Sequence, residues 1–430
     1  MKVKLNREHF INQYPPFNVV NTKEVKGMSA KKPVHLYVHT PFCPQKCGHC
    51  YYKSFDNSSP EMRQDYLEGL KQEIILFSRQ PENQNKIVKS LYFGGGSPTI
   101  MSCKQLEELT TLIFDTFDFA EDYEFCSEAR PHRETLTAEK LKLLKQLNVN
   151  RLSFGVQNFN PHILELNQRN MDLNVFYELY DVAKSLNFRI INIDIMSGMY
   201  GETMENWQKV IDKLLQLEPE NIVFYKMELF FNTKLFLDMK NNRQDVPLMT
   251  NQEEIQLIRT AFDRLQQEGG YIPGNCFNLV KAPEYMHKHR KEIWLGDDMK
   301  GFGLTAHSCC DDYLYQNTTI LSEYHRLISL GKLPIKRAHY LTYKEKIAQA
   351  MIYGIKSLRI DRKKFKERFG FDMLELYGET IDPLVSEGLL TLDDDALRVP
   401  PQYHIFADDI CREFFLPEHE TMMMAHVPRD

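Results

Sequence analysis

The chain has 430 residues, 43% hydrophobic and 26% charged, with a net charge of −6. That composition suits a globular chain with a large core, too long for one average domain but filled by a barrel and a small appendix. The acidic balance gives nucleic acid no electrostatic hold, no run of about 18 apolar residues suits a membrane span, and MKVKLNREHF lacks the apolar stretch of a signal peptide. Nine cysteines, an odd count with three clustered, argue against a disulfide framework and predict a reducing cytoplasm.

Residues 1–33 form a polar arm with Pro15, Pro16, Lys31 and Lys32 and no regular period, expected either to drape over the main domain or to be disordered. The next stretch, His35–Phe55 (HLYVHTPFCPQKCGHCYYKSF), sets Cys43, Cys47 and Cys50 on one tight loop after a strand-like run. Three thiolates leave one iron of a 4Fe–4S cluster open to a small molecule, whereas four would saturate the cluster or close a zinc site. Zinc with His39 or His49 as a further ligand, or three unrelated thiols, are the competing readings. Phe42, Tyr51 and Tyr52 flank the loop and could wall it off from water.

Strand-like and helix-like segments then alternate. Strands are predicted at His35–Thr40, Ser90–Phe93, Tyr123–Ser127, Arg151–Val156, Arg189–Met196 and Asn221–Leu229. Helices are predicted at Pro60–Arg79, Lys104–Phe117, Ala138–Leu147, Val175–Leu186 and Met204–Leu217. Such repeats imply parallel strands with right-handed crossovers, an α/β fold curling into a partial (β/α)6 TIM-like barrel. Ligands bind such folds at the carboxyl ends of the strands. The unusual residues fall there. The cysteines follow the first strand, and Gly94-Gly95-Gly96-Ser97-Pro98-Thr99 follows the second. Glu128 ends the third, Gln157 the fourth with Arg169 beyond it, Asp194 the fifth, and Tyr225 and Glu228 the sixth. Three glycines let backbone approach a ligand closely.

Tyr271–His307 reads as irregular, with His287 and His289 as surface histidines. From Leu341 on, Tyr343–Leu358, Arg362–Phe369 and Met373–Glu387 read as helices and GLLTLDDDALRV as a hairpin, together a small winged-helix-like unit. Its acidic turn, Asp393–Asp395, would repel phosphate, which points to a lid or docking role. The expected divisions are an arm (1–33), a core barrel with its extension (34–310), a C-terminal helical, winged-helix-like domain (311–415) and a disordered tail (416–430).

The segments YVHTPFCPQKCGHC, YFGGGSPT, the Glu128 strand end, NRLSFGVQNF with Arg169, INIDIMSGMYGET and LGDDMKGFGLTAHS resemble the radical S-adenosylmethionine (SAM) superfamily. More narrowly, the chain from about Tyr37 to about Phe415 is similar to the oxygen-independent coproporphyrinogen III oxidase family. The resemblance implies that Cys43, Cys47 and Cys50 ligate a 4Fe–4S cluster whose open iron is chelated by SAM. It implies SAM contacts at Tyr37, Gly95, Gly96, Ser97, Glu128, Gln157, Arg169, Asp194 and Glu228, serving one or two SAM molecules. It also implies reductive cleavage of SAM to a 5′-deoxyadenosyl radical, an electron donor such as a flavodoxin or ferredoxin, and a monomer. The implied substrate is a tetrapyrrole, most simply coproporphyrinogen III, decarboxylated oxidatively at its propionates. Two residues depart from the family pattern. Tyr52 stands where the oxidase carries a further cysteine, and HRKEIW is similar to the HNxxYW of the haem-chaperone branch with Arg290 and Ile293 replacing Asn and Tyr. A SAM-dependent radical methyltransferase or cyclopropanase and a haem chaperone are therefore the alternatives, with the N-terminal arm favouring the enzymes.

Overall fold

The structure, a computed structural model, describes residues 3–7, 10–21, 25, 33–228, 230–231, 233–241 and 248–424. The predicted alternation is present. Strands β1 (Val34–Thr40), β2 (Ile87–Gly95), β3 (Asp118–Ala129), β4 (Arg151–Gln157), β5 (Ile190–Ser197) and β6 (Asn221–Lys226) run parallel in chain order. The last predicted strand stops at Lys226, and Leu229 lies outside the described residues.

Alternate positions on each strand go to opposite faces. Leu36 and Val38, Leu91 and Phe93, Leu152 and Phe154, and Ile191 and Ile193 join the core under the helices. Their neighbours Tyr92, Ser153, Asn192 and Asp194 line the barrel interior. The helices start where short polar side chains cap them. Ser59 accepts from Met62 N, Thr137 from Lys140 N and Thr203 from Asn206 N, while Ser102 and Gln105 cap each other reciprocally.

The stretch 271–307, expected to be irregular, is ordered and extends the six-stranded sheet on both sides. It holds β7 (Ile272–Asn275), β8 (Asn278–Val280), a helix at Lys288–Trp294, β9 (Asp298–Phe302) and β10 (His307–Cys310). These elements are too short, and too rich in Gly and Pro, to show a period. Strands β11 (Tyr313–Asn317) and β12 (Ile335–Tyr340) follow, giving one sheet ordered β12-β11-β10-β9-β1-β2-β3-β4-β5-β6-β8-β7. Strands β11 and β12 therefore belong to the large sheet, with a helix, Leu321–Ser329, between them, and the change of architecture expected at 311 falls at Tyr343 instead.

The C-terminal unit packs helices Tyr343–Lys356, Arg362–Phe369 and Met373–Ser386 on a small antiparallel sheet, β13 (Arg359–Asp361), β15 (Ala396–Arg398) and β14 (Thr391–Leu392) in that order. Asp393 closes the acidic hairpin by accepting from the N–H groups of Asp395 and Ala396. This unit has its own core, which takes in Ile11 and Tyr14 of the arm. The described residues of the arm thus drape over the protein. The N–H groups of Asn6 and Arg7 each donate to Asp409 Oδ2 at 3.0 Å, and Arg7 pairs with Glu254. The segment expected to be a disordered tail contains a helix, Pro417–Met424. Its buried His419 meets Tyr14 Oη at 2.9 Å and Glu345 Oε1 at 3.3 Å. Residues 425–430 lie outside the described set. At the seam between barrel and C-terminal unit, Trp294 stacks on Tyr353 with ring centroids 5.6 Å apart. Among the described residues no helix is long and apolar enough to cross a membrane.

Candidate functional site

β1 releases the chain at Thr40 into the cysteine loop, which returns through Cys43 N donating to Phe55 O and Phe55 N donating to Pro41 O. Gly48 anchors the loop's middle, donating to Asn167 O and accepting from Leu235 N. Cys47 is buried, Cys43 and Cys50 are partly buried, and none is in a disulfide. Burial, then the nearby Cys50, pushes the Cys43 thiol up to about 12, and burial raises Cys50 as well.

Two arginines face the loop. Arg169 Nη1 lies 3.2 Å from Cys47 Sγ, and its Nη2 donates to Gly155 O. Arg130, which the sequence reading missed, donates to Gln45 O at 2.7 Å and Asn170 O at 3.3 Å. Burial, reinforced by Arg169, lowers its pKa. Thr40 Oγ1, His49 Nδ1, Arg130 Nε, Gln157 Oε1 and Arg169 Nε are buried without a hydrogen-bond partner. Buried cations and orphaned polar atoms around unpaired thiols fit an anionic group seated among them.

The loop fits a cluster better than zinc. Among the described residues only His35, Glu292 and Asp297 bring three ligand atoms within 4.8 Å of one another. The three sulfurs are therefore spread wider than one ion with bonds of about 2.3 Å could span. The ring nitrogens of His39 are engaged by Tyr37 Oη and Thr305 Oγ1, away from the thiols. The His35–Glu292–Asp297 group already holds a cation, since Lys89 Nζ lies 3.4 Å from Glu292 and 3.2 Å from Asp297.

The glycine loop presses against the cysteine loop. Gly96 N donates to Thr40 O and Ser97 N to Phe42 O. A Cβ on Gly96 would lie 2.5 Å from Phe42 O and 2.9 Å from Cys43 Sγ, and one on Gly95, whose φ is +105°, would lie 2.6 Å from the His39 ring. Ser97 itself is fully buried. Glu128 accepts from Tyr92 Oη at 2.7 Å and from Gly95 N at 3.1 Å. Burial pushes its carboxyl up to about 7. Tyr37 stacks on Tyr92. Asp194 accepts from Asn192 and Ser153, and burial raises its pKa. Gln157 ends β4 at a positive φ of 73°. Glu228 accepts from Phe10 N of the arm at 2.8 Å and lies near enough to Tyr51 of the cysteine loop for its charge to help raise that phenol's pKa.

Below this mouth a polar cavity is lined by Tyr92, Asp194, Tyr225, Phe277, His287 and Arg290. Arg290 bonds Tyr225 and lies over the Phe277 ring. The sequence reading placed His287 and His289 on the surface; instead they close the barrel floor. Ser90 Oγ bridges His35 Nδ1 and His289 Nδ1, each at 2.7 Å. Burial holds both His287 and His289 well below the usual histidine pKa. Glu124 and Arg151, on adjacent strands, pair at 2.9 Å, and Glu124 caps the helix Lys288–Trp294 through Lys288 N and His289 N. Their inward positions on β3 and β4 were the available signal.

Comparison with known proteins bears on the whole chain. Residues 37–214 match the Radical SAM superfamily and residues 341–402 the HemN C-terminal domain. The heme chaperone HemW of Bacillus subtilis (strain 168) is 29% identical over 384 residues, covering 88% of this chain and 98% of the relative. The oxygen-independent coproporphyrinogen III oxidase of Escherichia coli (strain K12) is 25% identical over 398 residues, covering 89% and 86%. The solved structure of E. coli coproporphyrinogen III oxidase (HemN) superposes with a TM-score of 0.80 at 23% identity, covering 93% of this chain and 96% of that one, and shows the same fold. The chain carries a Radical SAM domain and a HemN C-terminal domain and is homologous to the HemN and HemW proteins.

Proposed function

We propose that this protein is a radical SAM enzyme that oxidatively decarboxylates the propionate side chains of coproporphyrinogen III. When bound, a reduced 4Fe–4S cluster and SAM would supply reductive sulfonium cleavage and, from it, hydrogen-atom abstraction chemistry. Cys43, Cys47 and Cys50 would hold the cluster, and Arg130 and Arg169 would offset its negative charge. The backbone at Gly95 and Gly96 lets SAM approach closely, while Glu128 suits its ammonium or ribose hydroxyls. Gln157 and Asp194 offer further polar contacts on the neighbouring strand ends. Tyr37 and Tyr92 wall the mouth and exclude water.

The observation that carries the enzyme reading over the haem-chaperone reading is the burial of His289. It is 7% exposed, with its Nδ1 held by Ser90, so HRKEIW offers no free histidine at the surface for a haem iron. The test is anaerobic incubation of reconstituted protein with dithionite, SAM and coproporphyrinogen III. We expect 5′-deoxyadenosine, carbon dioxide and vinyl product, all absent from the Cys43, Cys47, Cys50→Ala protein. 5′-Deoxyadenosine without carbon dioxide would replace this substrate with another. A haem Soret band with no 5′-deoxyadenosine would leave the chaperone.

A further inference from the structure

The inner face of the sheet extension carries a polar row that the site described above does not use. Strand β9 runs parallel to β1, so the turn after it, the start of β10, the end of β11 and the start of β12 all lie at the cluster end of the barrel. There His307 pairs in register with Gln316, and Gln316 with Arg337. The row joins the mouth through side chains. His39, whose ring abuts Gly95, meets Thr305 Oγ1 at 3.3 Å. Gln316 Nε2 donates to Thr305 O at 3.1 Å and contacts His307 Nε2 at 3.2 Å, while Gln316 Oε1 accepts from Arg337 Nε at 3.0 Å.

Arg337 is oriented, and among the described residues its guanidinium has one hydrogen-bond partner. Its Nε is fixed by Gln316, and its guanidinium lies flat against Phe17 of the arm, 3.4 Å from the ring centroid. Among the described residues no carboxylate pairs with it and neither terminal amino group has a partner; its neighbour His307 is held neutral, near 3, by burial and by Arg337 itself. Burial lowers the guanidinium to about 10. A half-buried guanidinium, pinned on one edge and stacked on one face, presents its planar donor fork to a carboxylate.

We propose that Arg337 receives a carboxylate of the substrate at the barrel rim, so that the substrate carries a carboxylate remote from its reacting carbon. The proposal rests on the decarboxylase reading for the tetrapyrrole, whose several propionates supply one to react and another to anchor.

The test is fluorescence titration of the intact protein with coproporphyrin III, the stable oxidised form, and with its tetramethyl ester. Unaltered protein binds the acid more tightly than the ester. Arg337→Gln weakens acid binding about ten-fold or more and leaves ester binding unchanged. Arg337→Lys, which keeps the charge but not the fork, falls between them. A thermal melt confirms that each variant is folded, and Arg337→Lys alone decides the matter if Arg337→Gln does not fold. Equal acid affinity in unaltered and substituted protein, equal affinity for acid and ester, or no binding of the acid overturns the proposal. Carbon dioxide release from coproporphyrinogen III by unaltered protein reports on the decarboxylase reading separately. Decarboxylation with Arg337-independent binding sinks the proposal and spares the reading, and Arg337-dependent binding without decarboxylation does the reverse.

Discussion

Glu128 is a carboxyl held out of water at the mouth, with hydrogen bonds that only partly offset the cost of its charge. In the folded protein it titrates near 7, well above its unfolded value near 4.5. The folded state therefore binds the proton more tightly, and the charged form costs stability. That cost is fully present above about 7, shrinks as pH falls through the window, and is gone below about 4.5. Glu128→Gln removes the charge. The cluster-free variant is expected to melt above the parent at about pH 8, by the equivalent of ~1–3 kcal/mol, with the gap closing at acid pH. Melting curves across that range check it; a gap that ignores pH would assign Glu128 a different cost. Arg169 supplies the complementary charge without pairing to Glu128, since its Nη groups are taken by Cys47 and Gly155.

Among the elements, the helix Lys288–Trp294 shows how strand side chains place a segment that has little period of its own. Glu124 takes the N–H groups of Lys288 and His289 and the guanidinium of Arg151, with both partners of the ion pair nearly inaccessible. Glu124→Ala strands a buried arginine and uncaps the helix. It is expected to destabilise the cluster-free protein by ~3–5 kcal/mol, read as a lowered denaturant midpoint at unchanged slope. Melting unchanged within error would mean that water replaces the carboxylate. The parallel strands and their helices were legible in the sequence because apolar alternation and helical spacing are local signals, and the cysteine and glycine motifs fell at strand ends for the same reason. Arg130, Arg151, Arg290 and the buried histidines were not legible. Their roles depend on which strands become neighbours, and beside lysines in sequence His287 and His289 looked solvated. Strand β9 was hidden too, since it pairs with β1 across more than 250 residues of intervening chain.

At the scale of the whole molecule, the arm ties the two cores together. Asn6 and Arg7 bind Asp409 of the C-terminal unit, Arg7 also binds Glu254 behind the barrel, and Ile11 and Tyr14 fill the second core. Deleting residues 1–21 exposes the apolar surface beneath Ile11 and Tyr14 and is expected to cost ~3–5 kcal/mol. Hydrogen exchange should then accelerate across Tyr343–Lys356 and the Pro417–Met424 helix, while β1 to β4 stay protected. Equal acceleration throughout would make the protein one cooperative unit. The seam also has an optical consequence. The chain has two tryptophans. Trp207 is wholly buried in the barrel wall, with its Nε1 on Leu257 O, whereas Trp294 stacks on Tyr353 at the seam, with the guanidinium of Arg290 6.0 Å from its ring. Intrinsic tryptophan emission therefore comes from two separate lamps, one lit by the barrel's integrity and one by the docking of the C-terminal unit. With Trp207 replaced by phenylalanine, the remaining light would gauge that docking alone.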